Sequence, residues 1–157
     1  MKRSYKVVLI ILLQIIFLSG MIGFKYYTLH FGTPILLKAS TVDPRDVFRG
    51  EYVRLRYELS SAKNFDPGKQ PLRDETVYVV LEKGEKYWDA VGVYIDKPQL
   101  NNNQVLMKGK LNYGSIQYGI ETYYVEEGKG REIERKNNMD VMVRVDRFGN
   151  AVIERIL

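Results

Sequence analysis

The feature that most constrains this chain is an uncharged apolar run, Val7 to Phe24, reading VVLIILLQIIFLSGMIGF. As a helix, it spans roughly 27 Å at about 1.5 Å per residue, close to the thickness of a bilayer's hydrocarbon core. Tyr5 on one side and Lys25, Tyr26 and Tyr27 on the other are side chains that settle in the headgroup layer. Gln14 is the one strongly polar interior residue, either tolerated alone or hydrogen-bonded to another helix. Lys2, Arg3 and Lys6 outweigh Lys25, so the positive-inside bias keeps the N-terminus in the cytoplasm and sends the C-terminal part outward. A cleaved signal peptide is the competing reading, but a cut after Gly20 or Ser19 would put Leu18 or Phe17 where a small residue is required. The expected organisation is a cytoplasmic N-terminus over 1–6, a single-pass anchor with interfacial residues over 7–29, and one extracytoplasmic domain over 30–157 at the cell membrane.

That domain is long enough to bury a core unaided, and it has to, because the chain has no cysteine. The same absence rules out a lipoprotein anchor, thiolate zinc, a thiol nucleophile and disulfides. The net charge of +5 belongs to the anchor: four of the 24 Lys and Arg residues flank the apolar run, and no acidic residue precedes Asp43. The remaining basic residues nearly balance the 19 Asp and Glu, leaving no positive domain to drive phosphate-backbone binding, so nucleic acid is not an expected partner.

Beyond the anchor, polar and apolar residues alternate with period two between Gly, Pro and Asn clusters. The strand pattern covers Pro34 to Ala39, Tyr52 to Leu59, Thr76 to Leu81, Trp88 to Ile95, Val105 to Leu111, Ser115 to Val125, Asp140 to Val145 and Ala151 to Leu157. Val53, Leu55, Tyr57 and Leu59 fall on one face, with Tyr52, Arg54, Arg56 and Glu58 on the other. Asn112-Tyr113-Gly114 and Asp146 to Asn150 have hairpin-turn chemistry. The expected fold class is mainly β: one N-terminal transmembrane helix, then a single antiparallel domain with at most one short helix, in Gly130 to Asn138. Lys63 to Arg73 is the longest irregular stretch.

The densest cluster of special residues is Asp43-Pro44-Arg45-Asp46-Val47-Phe48-Arg49-Gly50-Glu51-Tyr52. Pro44 biases Asp43 to an extended conformation, Asp46 suits a turn, and Gly50 permits a tight entry into the strand. With Leu55 and Tyr57 this segment resembles the GDYxxLxY family of bacterial membrane-anchored proteins of uncharacterised function, in which a D-P-R-D segment commonly precedes the motif. Gly50, Tyr52, Leu55 and Tyr57 match, while Glu51 replaces the family's Asp and lengthens the carboxylate by one methylene. The likeness extends through Trp88, Tyr118-Gly119-Ile120-Glu121, Tyr124 and Glu126-Glu127-Gly128 to the C-terminal hairpin. It implies a membrane-anchored protein and brings no activity or cofactor with it.

Arg45, Arg49, Arg54 and Arg56, with Asp43, Asp46 and Glu51, suit either a bidentate site for a carboxylate or phosphate or a network in which they satisfy one another. The candidate binding residues are therefore Asp43, Arg45, Asp46, Arg49, Gly50, Glu51, Tyr52, Arg54 and Tyr57, with Tyr118, Gly119 and Glu121 as a second wall. The expected function is an extracytoplasmic interaction module held near the bilayer, whose motif loop meets a multi-pass membrane protein, a lipid headgroup or a cell-wall component. The alternative is a membrane-bound hydrolase using Ser40, Ser60 or Ser61 with Lys38 or Lys63, or a carboxylate pair from Asp46, Glu51 and Glu121. His30, the single histidine, lies at the membrane boundary, which leaves no triad and no multi-histidine metal site. Trp88 is expected in the core, and one of Tyr123 and Tyr124 is expected outside.

Overall fold

In a computed structural model, residues 2–42, 52–61, 73–125 and 138–157 are described. Helix α1 runs from Lys2 to Phe31 and exposes its apolar side chains all round from Tyr5 to Tyr27; Tyr5–Phe31 is long and apolar enough to cross a membrane. It extends past the apolar run because Lys25 to Phe31 contains no helix breaker, and Gly32 ends it. Strand β1, Thr33–Val42, begins immediately after that glycine. The residues from Thr28 onward are therefore not a loose tether: they are the last helical turn and a strand built into a sheet.

The remaining elements among the described residues are β2 Tyr52–Tyr57, a 3-10 turn Glu58–Ser61, β3 Thr76–Lys83, β4 Trp88–Tyr94, β5 Gln104–Asn112, β6 Ser115–Gln117, β7 Thr122–Tyr124, β8 Met139–Val145 and β9 Ala151–Ile156. They form two antiparallel sheets, ordered β7-β2-β1-β8-β9 and β4-β3-β5-β6. Ile35, Leu37, Val53, Leu55, Tyr57, Val141 and Val143 of the first sheet share one core with Val77, Val79, Leu81, Val93, Met107 and Ile116 of the second. Each such side chain taken out of water contributes about 1.5–3 kcal/mol, which is what allows a cysteine-free domain to hold together. Half-buried Trp88 packs against this core, as does Tyr123, while Tyr124 points outward.

The period-two reading located every strand among the described residues, most ends shift by one to three residues, and two runs change in kind. Tyr52 to Leu59 stops being strand at Tyr57, because Leu59 and Ser60 turn inward on the 3-10 turn. Ser115 to Val125 is not one strand: β6 pairs with β5, β7 pairs with β2, and Tyr118 to Glu121 carries the chain from one sheet to the other. Ile116, Tyr118 and Ile120 are all buried, so the alternation was real, but it continues across a change of sheet.

Both expected hairpins are present. Tyr113 and Gly114 link β5 and β6 with φ of 47° and 77°, the two left-handed positions of a type I′ turn. Between β8 and β9, the Asp146 carboxylate accepts the N–H groups of Phe148 at 2.8 Å and Asn150 at 2.9 Å. The segments Asp43 to Glu51, Lys63 to Leu72 and Gly130 to Asn137 lie outside the described residues.

Candidate functional site

On the inward face of β2, the second half of the motif closes the core. Val53, Leu55 and Tyr57 are fully buried. The Tyr57 hydroxyl donates to the Ile120 carbonyl at 2.8 Å, the Tyr118 hydroxyl donates to the Leu59 carbonyl at 3.0 Å, and the Leu55 N–H donates to the Glu121 carbonyl at 2.7 Å. Burial, and then the nearby Glu121 charge, push both phenols far above the ordinary tyrosine range, so they remain protonated donors. The Glu121 carboxylate in turn accepts the N–H groups of Tyr118 and Gly119, the latter at 2.9 Å. Gly119 has φ of 78°, a conformation glycine takes without the Cβ penalty. Tyr118, Gly119 and Glu121, expected as a second binding wall, form the clamp that holds the crossing between the sheets and also line a cavity of about 370 Å³.

The outward face of β2 is different. Tyr52 tilts against Tyr124, ring centroids 6.3 Å apart, and Arg54 and Arg56 are exposed opposite Val42 and Ser40. Among the described residues neither guanidinium has an ion-pair partner. Asp43, Arg45, Asp46, Arg49, Gly50 and Glu51 lie outside the described residues, but the residues flanking them, Val42 and Tyr52, are placed. Val42 ends β1 roughly 30 Å of strand from Thr33, so these two flanking residues stand at the end of the first sheet opposite the helix.

Beyond Arg56 a groove opens, made of two adjoining cavities of about 220 and 210 Å³ that share Lys38, Glu58 and Ser61. Ser40, Arg56 and Asn138 line the first, and Tyr87, Trp88 and Asp89 line the second. The Lys38 ammonium lies 3.5 Å from the Glu58 carboxylate at a solvent-exposed position. At the rim, Asp140 accepts the Tyr87 hydroxyl at 2.7 Å and pairs with Lys86 at 2.7 Å. The Lys86 and Tyr87 hydrogen bonds hold the Asp140 carboxyl below its usual range, and the Asp140 and Tyr87 bonds raise Lys86 to about 12. This arrangement can recognise an acidic group through Arg56 and Arg54 and offer an aromatic surface at Trp88.

The serine–lysine candidates are partly assembled. Ser40, Ser61 and Lys38 line one cavity, whereas Ser60 is buried, with its carbonyl accepting from the Ser115 hydroxyl at 3.5 Å. Lys63 lies outside the described residues. His30 is on the last turn of α1, stacked on Tyr26 at 3.9 Å. No group of three or more His, Asp and Glu among the described residues could hold a metal ion.

Sequence reasoning missed the junction between helix and domain. The Thr28 hydroxyl donates to Asp146 at 3.0 Å, both residues being buried, and Arg144 donates to the Gly32 carbonyl at 3.2 Å. The available signal was a hydroxyl residue in an otherwise aromatic and aliphatic helix end.

No curated protein and no solved structure matches the chain at a significant level. A family model described as GDYXXLXY protein matches residues 14–156, which takes in the larger part of the apolar run, the motif strand, the sheet crossing and both hairpins. The chain belongs to the GDYXXLXY protein family.

Proposed function

We propose that this protein is a membrane-anchored, outward-facing interaction module that presents the arginine face of β2 to an acidic partner at the end of the domain opposite its anchor. The observation that carries this reading is the helix itself: α1 exposes apolar side chains on every side and passes into β1 through Gly32 alone. One end of the first sheet is fixed to the anchor, and Arg54, Arg56, Tyr52 and Tyr124 stand toward the other. A strand length of roughly 30 Å favours a cell-wall component or the outer portion of a membrane protein over the headgroups of the anchoring bilayer. The basic flank at Lys2, Arg3 and Lys6 supports an N-terminus inside and a domain outside.

The test is photocrosslinking in intact cells with a photoreactive residue at Tyr124. A discrete adduct is expected, lost when Arg54→Ala and Arg56→Ala are combined. An adduct that survives the double substitution removes the arginine face from the contact. The hydrolase reading has one supporting observation, the cavity shared by Ser61 and Lys38; it predicts loss of a cellular activity in Ser61→Ala with crosslinking intact.

A further inference from the structure

We infer that the tip of the β8–β9 hairpin, Arg147 and Phe148, is a second membrane contact: it seats in the headgroup layer of the bilayer that α1 crosses and fixes how the domain stands on the membrane. This rests on the reading of α1 as an anchor. About 20 helical residues cross the hydrocarbon, so a span starting at Tyr5 is used up near Lys25. Tyr26 and Tyr27 then occupy the interface, and Thr28 lies one residue beyond them. The 3.0 Å hydrogen bond from Thr28 to Asp146 puts the hairpin at that same level.

The tip is built to hold a shape there. Asp146 accepts the Phe148 and Asn150 N–H groups and the Asn150 side-chain amide, and the Gly149 carbonyl accepts the Lys108 N–H at 2.7 Å from the second sheet. This rigid turn presents a phenylalanine that is 47% exposed, with the Arg147 guanidinium 4.8 Å from the ring centre. An aromatic ring with a cation over it suits the boundary between acyl chains and phosphates, the ring facing the chains and the guanidinium the phosphate oxygens. Phe31, at the end of α1, is 74% exposed and supplies a second ring within one helical turn of Thr28.

Because the chain has no cysteine, a single nitroxide label can report the depth of each position in the full-length protein, reconstituted in vesicles of phosphatidylcholine and phosphatidylglycerol. Labels at Phe148→Cys, Phe17→Cys and Tyr124→Cys are compared by collision with oxygen and with a water-soluble nickel chelate. Position 17 is expected to read as buried in lipid, position 124 as aqueous, and position 148 between them. A label at 148 as open to the chelate as that at 124, with 17 buried, overturns this inference and leaves the anchor standing. An aqueous reading at 17 overturns both. Adding Arg147→Glu to the 148 reporter is expected to move it toward water only when phosphatidylglycerol is present; an unchanged reading removes Arg147 from the contact.

Discussion

The two ends of the first sheet contain similar polar residue types and use them in opposite ways. At the helix end, Asp146 and Arg144 are spent: Asp146 takes hydrogen bonds from Thr28, Phe148 and Asn150, and Arg144 pairs with Glu154 and caps the Gly32 carbonyl. At the motif end, Arg54 and Arg56 stand exposed without ion-pair partners among the described residues, while Val53, Leu55 and Tyr57, which alternate with them, face inward and close the core. The contrast separates braces from candidate ligands: a brace is a polar group whose partners are already in place, and removing one partner leaves the other buried and unsatisfied.

The largest effect is expected at the inward side of the motif end. Leu55→Ala should cost about 2–5 kcal/mol through the cavity it leaves, read as a lower denaturation midpoint of the full chain in detergent. A near-neutral result would mean that the motif strand does not close the core. At the helix end, Asp146→Ala leaves several donors without an acceptor and should cost about 1–3 kcal/mol. Paired with Thr28→Val in a double-mutant cycle, it should show a coupling above about 0.5 kcal/mol; additivity would mean that helix and domain are independent bodies.

Acid should act on the helix end first. Burial raises the Asp146 carboxyl, but the Asn150 side chain, the Asn150 and Phe148 N–H groups and the Thr28 hydroxyl outweigh it, and the net shift is below the ordinary value of 3.8. A carboxyl lowered in the folded state contributes stability that is present above its unfolded value and is lost as pH falls through the lower, folded one. The midpoint of the parent chain should therefore drop below about pH 4, and Asp146→Asn should drop less over the same range. The Lys86–Asp140 pair has the same sign, but its lysine is more than half exposed, so it adds little.

The smallest stability effect is expected on the outward face. Arg54→Ala combined with Arg56→Ala should change stability by less than about 0.5 kcal/mol, because no ion-pair partner among the described residues is lost. A drop above about 1 kcal/mol would class these arginines with the braces and erase the difference between the two ends.

The sequence by itself determined what depends on neighbours in the chain. An uncharged run long enough for a bilayer makes a helix, alternation makes strands with Val53, Leu55 and Tyr57 inward, Tyr113-Gly114 makes a two-residue turn, and Gly50, Tyr52, Leu55 and Tyr57 mark the family. Tertiary structure decided what depends on partners far away in the chain. Tyr57 meets the Ile120 carbonyl 63 residues away, and Thr28 meets Asp146 118 residues away. Those contacts turn Tyr118 to Glu121 into a sheet crossing and weld the helix to a hairpin. Period and turn chemistry are local and can be read along the chain, whereas the acceptor that a buried donor finds is fixed only when the two sheets close on each other.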